Sequence, residues 1–321
     1  MKRKVRHSVT FKRIFTFFAV VATLEVGGIV SAALWMHHGD GKLAAQAAAN
    51  FAMGEKKSIR TDRAADEGDL QANTARIIGT SKNQMSVYFL RPDREIEPFL
   101  YNQRQMSPAS IIKLFVMAKT MQDVHDGRLS LEDKVTIRKN DVVGGAGVTT
   151  WYDIGQQRTI RQLLTVMITD SDNTATNILI DKLGMKNINQ YIAQSGYSDT
   201  VLAHKMMLSN GGRKNLSSVR DLGHLLTKLY YHQLVGPEED EFMLSVLKQQ
   251  HDKECLGSAL NGYTIAHKTG EVTGVYTDGG IFIGKDEDFI LVIINNGTEG
   301  RVDTIDKMQQ LARYYAGTTK N

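Results

Sequence analysis

Apolar residues recur at two different spacings along the chain, and the change in spacing divides it into segments. From Ser110 onward they follow one another at intervals of three or four, which predicts an amphipathic helix that ends at Gly127. Helical spacing continues in shorter segments to about residue 250. A helix is also predicted near Leu70–Ile78, and another closes the chain over Asp303–Gly317.

Five short runs rich in β-branched and aromatic residues predict strands instead. Two precede the helical stretch and flank the turn-forming segment RPDRE, at Met85–Leu90 and Pro98–Asn102. Three follow it, at Tyr263–Gly270, Tyr276–Gly284 and Asp288–Gly297. The simplest architecture pairs the early and late strands in one sheet. The sequence therefore predicts a two-lobed α/β (α+β) fold, with an antiparallel sheet flanked by helices, an all-helical lobe, and a ligand site in the cleft between them.

The composition is that of an ordinary globular protein, except for an excess of basic residues at the amino terminus. The 321 residues are 42% hydrophobic and 23% charged, as in ordinary globular proteins. The net charge of +4 arises from six cations among the first 13 residues, without which 33 basic residues face 35 acidic ones. The body is therefore close to neutral, and we expect no nucleic-acid partner. The single cysteine, Cys255, excludes an intramolecular disulfide, and we expect a monomer.

The segment Ile14–Trp35 follows these cations and carries one charge, Glu25. As a helix it would span roughly 33 Å, about one bilayer core. Two interpretations stay open: a signal anchor with its basic end cytoplasmic, or a signal peptide whose apolar part ends near Leu24. We expect residues 1–36 to be this signal segment, 37–68 a polar stalk, and 69–321 a body outside the cytoplasmic membrane, anchored to it or secreted.

The stretch SPASIIKL places a lysine, Lys113, three residues after a serine, Ser110. Residues at this spacing on a helix share one face, so the amine can reach the hydroxyl. A serine hydroxyl is a weak nucleophile until a base removes its proton, and a desolvated lysine can be neutral and act as that base. The motif alone is weak, because most such pairs lie on a solvated helix face.

Two more short motifs follow at a distance. SDN begins at Ser171, and by itself it is typical of a helix start. KTG begins at Lys268, at the end of a predicted strand, where a lysine and Thr269 can bind a carboxylate and Gly270 can admit a substrate backbone. The residues before this lysine imitate a phosphate-binding loop, but His267 occupies the position of the required second glycine. We therefore reject a nucleotide site.

The three motifs together are much more specific than any one of them. SDN follows Ser110 by 61 residues, and KTG follows Ser171 by 97. The set S-x-x-K, S-D-N and K-T-G is found in class A β-lactamases and penicillin-binding proteins. With SDNTATNILI and AHKTGEV, the chain resembles the class A β-lactamase family from about residue 68 to 316.

This resemblance implies a role for each motif residue. Ser110 would attack a β-lactam or a D-alanyl cell-wall peptide, Lys113 would take its proton, and Ser171 would pass a proton to the leaving nitrogen. Asn173 would bind the side-chain amide of the substrate, and Lys268 and Thr269 its carboxylate. The backbone N–H groups of Ser110 and Glu271 would form the oxyanion hole. The resemblance implies no metal and no organic cofactor.

The chain departs from the family at one position that matters for turnover. Class A enzymes carry a glutamate that activates the water cleaving the acyl-enzyme, and here Met206 falls in its place. No acid occurs between Leu202 and Asp221. Because general-base assistance is worth ~10²–10⁴-fold in rate, we expect slow deacylation. The alternative is a non-catalytic binding module that captures cell-wall peptides or a partner protein.

Overall fold

A computed structural model describes residues 68–94, 97–209, 211–297 and 300–318 of the chain. The predicted membrane segment 14–35 and nearly all of the predicted stalk 37–68 lie outside these residues. Within them, no helix combines the length and the apolar character needed to cross a membrane. The chain from Leu70 onward forms one compact unit.

Within the described ranges, seven strands lie in two sheets. They are β1 (Met85–Leu90), β2 (Phe99–Tyr101), β3 (Lys134–Thr136), β4 (Gln157–Thr159), β5 (Thr264–Val272), β6 (Val275–Ile283) and β7 (Phe289–Asn296). The main sheet is antiparallel in the order β2-β1-β7-β6-β5. The early and late strands meet where β1 pairs with β7, with Val87 opposite Ile293. The predicted antiparallel sheet is therefore confirmed.

Among the described residues, a first helix, α1, covers residues 68–78, close to the predicted 70–78. The others are α2 (Lys113–His125), α3 (Ile160–Thr169), α4 (Asn173–Leu183), α5 (Met185–Gln194), α6 (Val219–Tyr230), α7 (Pro237–Leu247) and α8 (Arg301–Thr318). Helices α2 to α7 come from the long insert between β2 and β5, and form the predicted helical lobe.

The main sheet is buried on both faces because its strands are apolar at successive positions. In β7, Ile290, Val292 and Ile294 pack into the core of the helical lobe. Their neighbours Leu291 and Ile293 point the other way, into a second core with α8. Burying a large apolar side chain contributes ~1.5–3 kcal/mol, so both cores hold the sheet in place. The strand β5 at the edge of this sheet carries the KTG motif.

The helical lobe is not all-helical, which corrects the prediction. Strands β3 and β4 pair antiparallel, with Val135 opposite Arg158, and form a two-stranded sheet. Each strand has only three residues, and most of them are exposed or partly exposed. Such short strands show no apolar alternation in the sequence, so the pattern could not reveal them.

Candidate active site

Ser110 lies in a 3₁₀ turn, Ala109–Ile112, and not in the helix predicted to begin there. The α-helix α2 begins only at Lys113. In a 3₁₀ turn the side chains at i and i+3 eclipse each other, so serine and lysine still fall on one side. Ala109 has a φ of 48°, a left-handed conformation that is unusual outside glycine. The turn that presents Ser110 is therefore held by its surroundings.

The amine of Lys113 contacts the SDN motif. Its Nζ donates to the backbone oxygen of Ser171 at 2.6 Å, to Ser171 Oγ at 3.1 Å and to Asn173 Oδ1 at 2.9 Å. Lys113 makes no hydrogen bond to Ser110, and the Ser110 hydroxyl makes none within the described part of the chain. The lysine side chain is fully buried.

The KTG lysine reaches the same hydroxyl from the sheet. Lys268 Nζ lies 3.2 Å from Ser171 Oγ and donates to the backbone oxygen of Thr269 at 2.7 Å. Lys268 has no exposed surface. The structure thus brings the three motifs together at one oxygen atom, Ser171 Oγ, although 97 residues separate that serine from Lys268.

Burial dominates the electrostatics of both amines, because it disfavours the charged form of a lysine. It lowers the pKa of Lys113 well below the ordinary value; the charge of Lys268 lowers it further, and Asp172 opposes the change. Burial lowers the pKa of Lys268 to about 8, with Asp278 and then Asp252 opposing it. A neutral amine at neutral pH is therefore accessible at Lys113.

The SDN motif fixes these contacts through a strained turn and a helix cap. Ser171 has a φ of 54°, another left-handed residue at the site. Asp172 caps α4, accepting from the N–H of Ala175 at 2.7 Å. Its second oxygen accepts from the N–H groups of Val148 and Thr149, at 2.8 and 2.6 Å. Asp172 therefore connects the backbone at Val148 and Thr149 to the start of α4 through hydrogen bonds.

Asn173 connects the same loop to the lysine. Its Oδ1 accepts from Lys113, and its Nδ2 donates to the backbone oxygen of Gly144 at 3.1 Å. Within the described ranges, these bonds leave one N–H of the amide for a substrate. Gly147 has no room for a side chain, since a Cβ would lie 2.6 Å from Asp172 Cγ. The glycine-rich stretch is thus part of the wall of the site.

Gly270 allows the sheet to approach the serine turn. A Cβ at this position would lie 2.7 Å from the backbone nitrogen of Ser110 and 2.4 Å from Thr277 Oγ1. Thr277 Oγ1 lies within hydrogen-bond distance of the backbone oxygens of Pro108, at 3.0 Å, and Gly270, at 3.1 Å. The sequence assigned this glycine to the approach of a substrate. The structure gives it a different partner, the turn that carries Ser110.

The remaining predicted residues lie at the end of β5. Thr269 is buried, and Glu271 follows Gly270, so its backbone lies next to the serine turn. The Glu271 side chain points to solvent and binds Arg301 at 3.0 Å, sharing that guanidinium with Glu254. Only the backbone of Glu271 is therefore placed for the role predicted from the sequence.

Met206 lies beside α4. The side-chain amide of Asn177 accepts from the N–H of Met206 at 2.7 Å and donates to its carbonyl at 3.0 Å. The Met206 side chain is 8% exposed and belongs to the core of the helical lobe. The next residue, Met207, is 61% exposed and has a φ of 61°. The two methionines thus have opposite environments.

Three residues around the site were not predicted from the sequence: Asn177, Thr277 and Asp278. Asn177 lies four residues after Asn173 and so on the same face of α4, a spacing that could have identified it. Asp278 interrupts an apolar strand, and an acid in a buried strand is uncommon. Within the described residues, no group of three or more His, Cys, Asp or Glu side chains could hold a metal ion.

The fold and the three convergent motifs are those of the class A β-lactamases, as the sequence predicts. Residues 69–316 match the family described as the "Beta-lactamase enzyme family", and the chain belongs to that family. Two curated relatives match parts of it. β-Lactamase BRO-1 of Moraxella catarrhalis is 33% identical over 32% of this chain and 33% of that protein. β-Lactamase CARB-3 of Pseudomonas aeruginosa is 26% identical over 53% of this chain and 62% of that protein.

The matches therefore span between a third and about three fifths of these two relatives. Solved structures match over more of their length. PBP-A has a TM-score of 0.73 at 25% identity, over 79% of this chain and 97% of that one. A leucine-to-glutamate variant of PBP-A, an acyl-enzyme complex with penicillin G, matches equally well. A β-lactamase from Sphaerobacter thermophilus has a TM-score of 0.72 at 25% identity, over 78% of this chain and 96% of that one.

Proposed function

We propose that the protein is a serine hydrolase that forms an acyl-enzyme on Ser110 with β-lactams or with D-alanyl cell-wall peptides. The observation that carries this proposal is the convergence of two buried amines on Ser171 Oγ, beside the turn that presents Ser110. Membership of the β-lactamase family supports the reaction type.

The contacts suggest a route for the proton. Neutral Lys113 takes the proton of the Ser110 hydroxyl as Ser110 Oγ bonds to the substrate carbonyl carbon. The C–N bond then breaks, and Ser171 donates its proton to the departing nitrogen. Lys113 returns the first proton to Ser171, to which it is already hydrogen-bonded. Every proton is accounted for, and Lys113 ends the step neutral.

Two backbone N–H groups complete the proposed site. Those of Ser110 and Glu271 flank the position that the carbonyl oxygen of the substrate would occupy, and they would stabilise its developing charge. Gly270 supports this assignment because it brings the end of β5 close to the nitrogen of Ser110. Charged Lys268 and the hydroxyl of Thr269 would bind the carboxylate that penicillins and D-alanyl peptides both carry.

Deacylation should be slow because a thioether cannot accept a proton from water. Met206 is held next to α4 by Asn177, in the segment where the family carries its glutamate. A leucine-to-glutamate variant of PBP-A has been solved as an acyl-enzyme complex with penicillin G, which supports acylation by a penicillin on this fold.

A covalent-labelling experiment tests the proposal. The protein is incubated with a fluorescent penicillin, resolved on a denaturing gel and weighed intact by mass spectrometry. We expect one adduct in the parental protein and none in Ser110→Ala. Ser258→Ala, which removes an exposed hydroxyl, is the matched control and should label normally.

The competing proposal is a binding module that captures cell-wall peptides or a partner protein without catalysis. One observation favours it: the Ser110 hydroxyl is not hydrogen-bonded to Lys113, whose amine is engaged by Ser171 and Asn173. The labelling experiment separates the two proposals. A protein that binds penicillin reversibly but forms no adduct at any dose would be a module.

We also propose that Ile14–Trp35 anchors a monomeric body to the outer side of the cytoplasmic membrane. The support is the length and apolar character of this segment behind a basic flank. Cell fractionation tests the proposal. Recovery of a soluble protein whose mature terminus lies between Gly28 and Asp40 would replace the anchor by a cleaved signal peptide.

A further inference from the structure

Glu271 carries a negative charge next to the place where the proposed reaction develops another one. The oxyanion hole would use the backbone N–H of Glu271, and the substrate carboxylate would bind close by, at Lys268 and Thr269. An unpaired acid beside these groups would repel both the oxyanion and the substrate. A residue that neutralises Glu271 and fixes the direction of its side chain would therefore matter for acylation.

The register of the sheet turns the Glu271 side chain away from the helical lobe. Glu271 lies opposite Tyr276 in the pairing of β5 with β6, and residues opposite each other share one face of a sheet. Tyr276 packs against the second core, which contains Ile305 and Met308 of α8. The Glu271 carboxylate therefore lies on the α8 side of the sheet, where it contacts Arg301, the first residue of that helix.

The guanidinium of Arg301 binds two carboxylates at once. Its Nε donates to Glu271 Oε1 at 3.0 Å and lies 3.2 Å from Oε2. Its Nη1 and Nη2 each donate to one oxygen of Glu254, both at 2.6 Å. The planar fork of an arginine matches a carboxylate in this two-point geometry, and a lysine cannot reproduce it. The pairing thus fixes the direction of the Glu271 side chain as well as compensating its charge.

The segment that carries Glu254 is itself anchored to two elements. The backbone oxygen of Glu254 accepts from Gln309 Nε2 of α8 at 2.8 Å. Two residues later, the N–H of Leu256 donates to Asp278 Oδ2 on β6 at 2.9 Å. The hydrogen bond from Arg301 lowers the pKa of the Glu254 carboxyl below its usual range, which agrees with a formed ion pair. Arg301 therefore connects the end of β5 to a segment that α8 and β6 already hold.

The last residues of β5 lie at the exposed end of an edge strand. In the described structure β5 is the final strand of its sheet, so Glu271 pairs with a neighbouring strand on one side only. Glu271 and Val272 are exposed, and the turn that follows is bonded through the carbonyl of Gly274 to the N–H of Gly297 at 2.9 Å. The ion pair with Arg301 therefore acts where strand pairing constrains the backbone least.

We propose that Arg301 is a positioning residue for acylation, which holds the Glu271 carboxylate on the α8 side of the sheet and so aims the Glu271 N–H at the substrate carbonyl oxygen. The proposal rests on the proposed function, because it assigns a support to the oxyanion hole. In this role Arg301 acts through Glu271 and makes no contact with the substrate. Exposed ion pairs usually contribute little, but a network with bidentate arginine geometry is the favourable case. The three side chains are 39–55% exposed, so we expect a moderate effect.

A double-mutant cycle tests this role. Arg301→Gln leaves Glu271 charged and unpaired, so the rate of adduct formation with penicillin G should fall roughly five-fold. Glu271→Gln removes the charge and should stay within about two-fold of the parental rate. In the Glu271→Gln background, Arg301→Gln should then have almost no effect, because the two residues act as one unit. Equal falls in both backgrounds, as a merely structural role of Arg301 would give, would overturn the proposal, and so would no fall in either.

Two matched variants separate the Glu271 pair from the rest of the network. Glu254→Gln keeps the pair between Arg301 and Glu271 and should stay within about two-fold of the parental rate. A fall as large as that in Arg301→Gln would place the effect in the segment around Glu254 and overturn the assignment. Arg313→Gln removes another exposed arginine of α8 and should acylate at the parental rate.

A further variant covers the case in which Arg301→Gln does not fold. Arg301→Lys keeps the charge but lacks the planar fork, so the rate should fall about two-fold and recover in the Glu271→Gln background. A fall that persists in that background would show that Arg301 does not act through Glu271, and the proposal would be wrong. No adduct in the parental protein would refute the proposed function, whereas an adduct with an uncoupled cycle would refute only the role of Arg301.

Discussion

The side-chain amide of Asn177 holds the backbone of Met206 at both its N–H and its C=O, at 2.7 and 3.0 Å. Asn177 belongs to α4, the helix that starts at the SDN motif. The segment that contains Met206 is therefore hydrogen-bonded directly to the helix that begins at the SDN motif. A side chain placed at position 206 has a fixed backbone to project from.

Replacing Met206 by glutamate should speed deacylation. The new carboxylate would supply the general base that we propose the site lacks, although the gain should stay below the ~10²–10⁴-fold of a well-placed base, because the side chain at position 206 packs in the core of the helical lobe. The measurement is the lifetime of the penicillin adduct by intact-mass spectrometry. The control is Val302→Glu, which places the same charge on an exposed side chain of α8 and should leave the lifetime unchanged. Rapid turnover by the parental protein, near ~10 s⁻¹, would show that another group activates the water.

Lys113→Ala should abolish acylation while leaving the protein folded. The substitution deletes the proposed proton acceptor, and alanine is the best helix former at the start of α2. The rate of adduct formation and the far-ultraviolet circular dichroism spectrum report the two effects separately. Lys182→Ala removes an exposed lysine and serves as the control. Parental acylation in Lys113→Ala would exclude this lysine as the base.

Gly270→Ala should impair acylation by displacing the serine turn. The added methyl group would lie 2.7 Å from the nitrogen of Ser110, so strand and turn must move apart. A displacement of about 1 Å can cost ~10²-fold in rate. Adduct formation and the melting temperature should both fall. Gly300→Ala is the control, since its nearest neighbour is 3.8 Å away. An unchanged rate in Gly270→Ala would mean that the turn tolerates the movement.

The protein should become more stable between about pH 8 and pH 10. The pKa of Lys268 is about 8 in the folded protein, whereas an unperturbed lysine, as in the unfolded chain, has a pKa of 10.5. Between these values the unfolded chain binds more protons than the folded protein, so the free energy of unfolding rises with pH. Lys268 can raise the free energy of unfolding by at most ~3 kcal/mol. Above about pH 9 the buried Cys255 thiol, whose pKa is raised by burial, acts in the opposite direction, and above pH 10 so do the buried Tyr88 and the partly buried Tyr191, whose pKa values are raised to about 12.

Urea unfolding at pH 7.5 and at pH 9.5 measures this window. Lys268→Met removes one of the two buried amines whose pKa is lowered and should reduce the rise, of which Lys113 would supply the remainder. If the free energy of unfolding of the parental protein fell steadily from pH 7.5 to pH 9.5, buried lysines would not control its alkaline stability.

Much of the fold was predictable because its strands are short apolar runs bounded by turns. Strand β1 occupies the predicted Met85–Leu90, and the closing helix begins within two residues of the predicted start. The 3₁₀ turn at Ala109–Ile112 was not predictable. It depends on the left-handed Ala109 and on the contact with Gly270, and both are set by tertiary packing.

The sequence predicts which residues form the site better than it predicts the hydrogen bonds between them. The sequence pairs Lys113 with Ser110, whereas the structure bonds its amine to Ser171 and Asn173. Spacing along a helix identifies neighbours on one face, but it cannot rank them against partners brought in from another element. For the same reason Asp278 escaped notice, since its effect on Lys268 depends on the pairing of β5 with β6.

Strand β5 is the last strand of its sheet, because no further strand pairs with it in the described structure. A free sheet edge exposes backbone donors and acceptors that invite aggregation, and proteins usually guard it. Here the same edge carries the KTG motif beside the proposed nucleophile. Residues 265–270 of this strand are buried and Glu271 and Val272 are exposed, so an extended peptide would pair with the edge only beyond the KTG motif, through main-chain hydrogen bonds. A penicillin, which offers much less backbone to pair with, would use only a fraction of that edge.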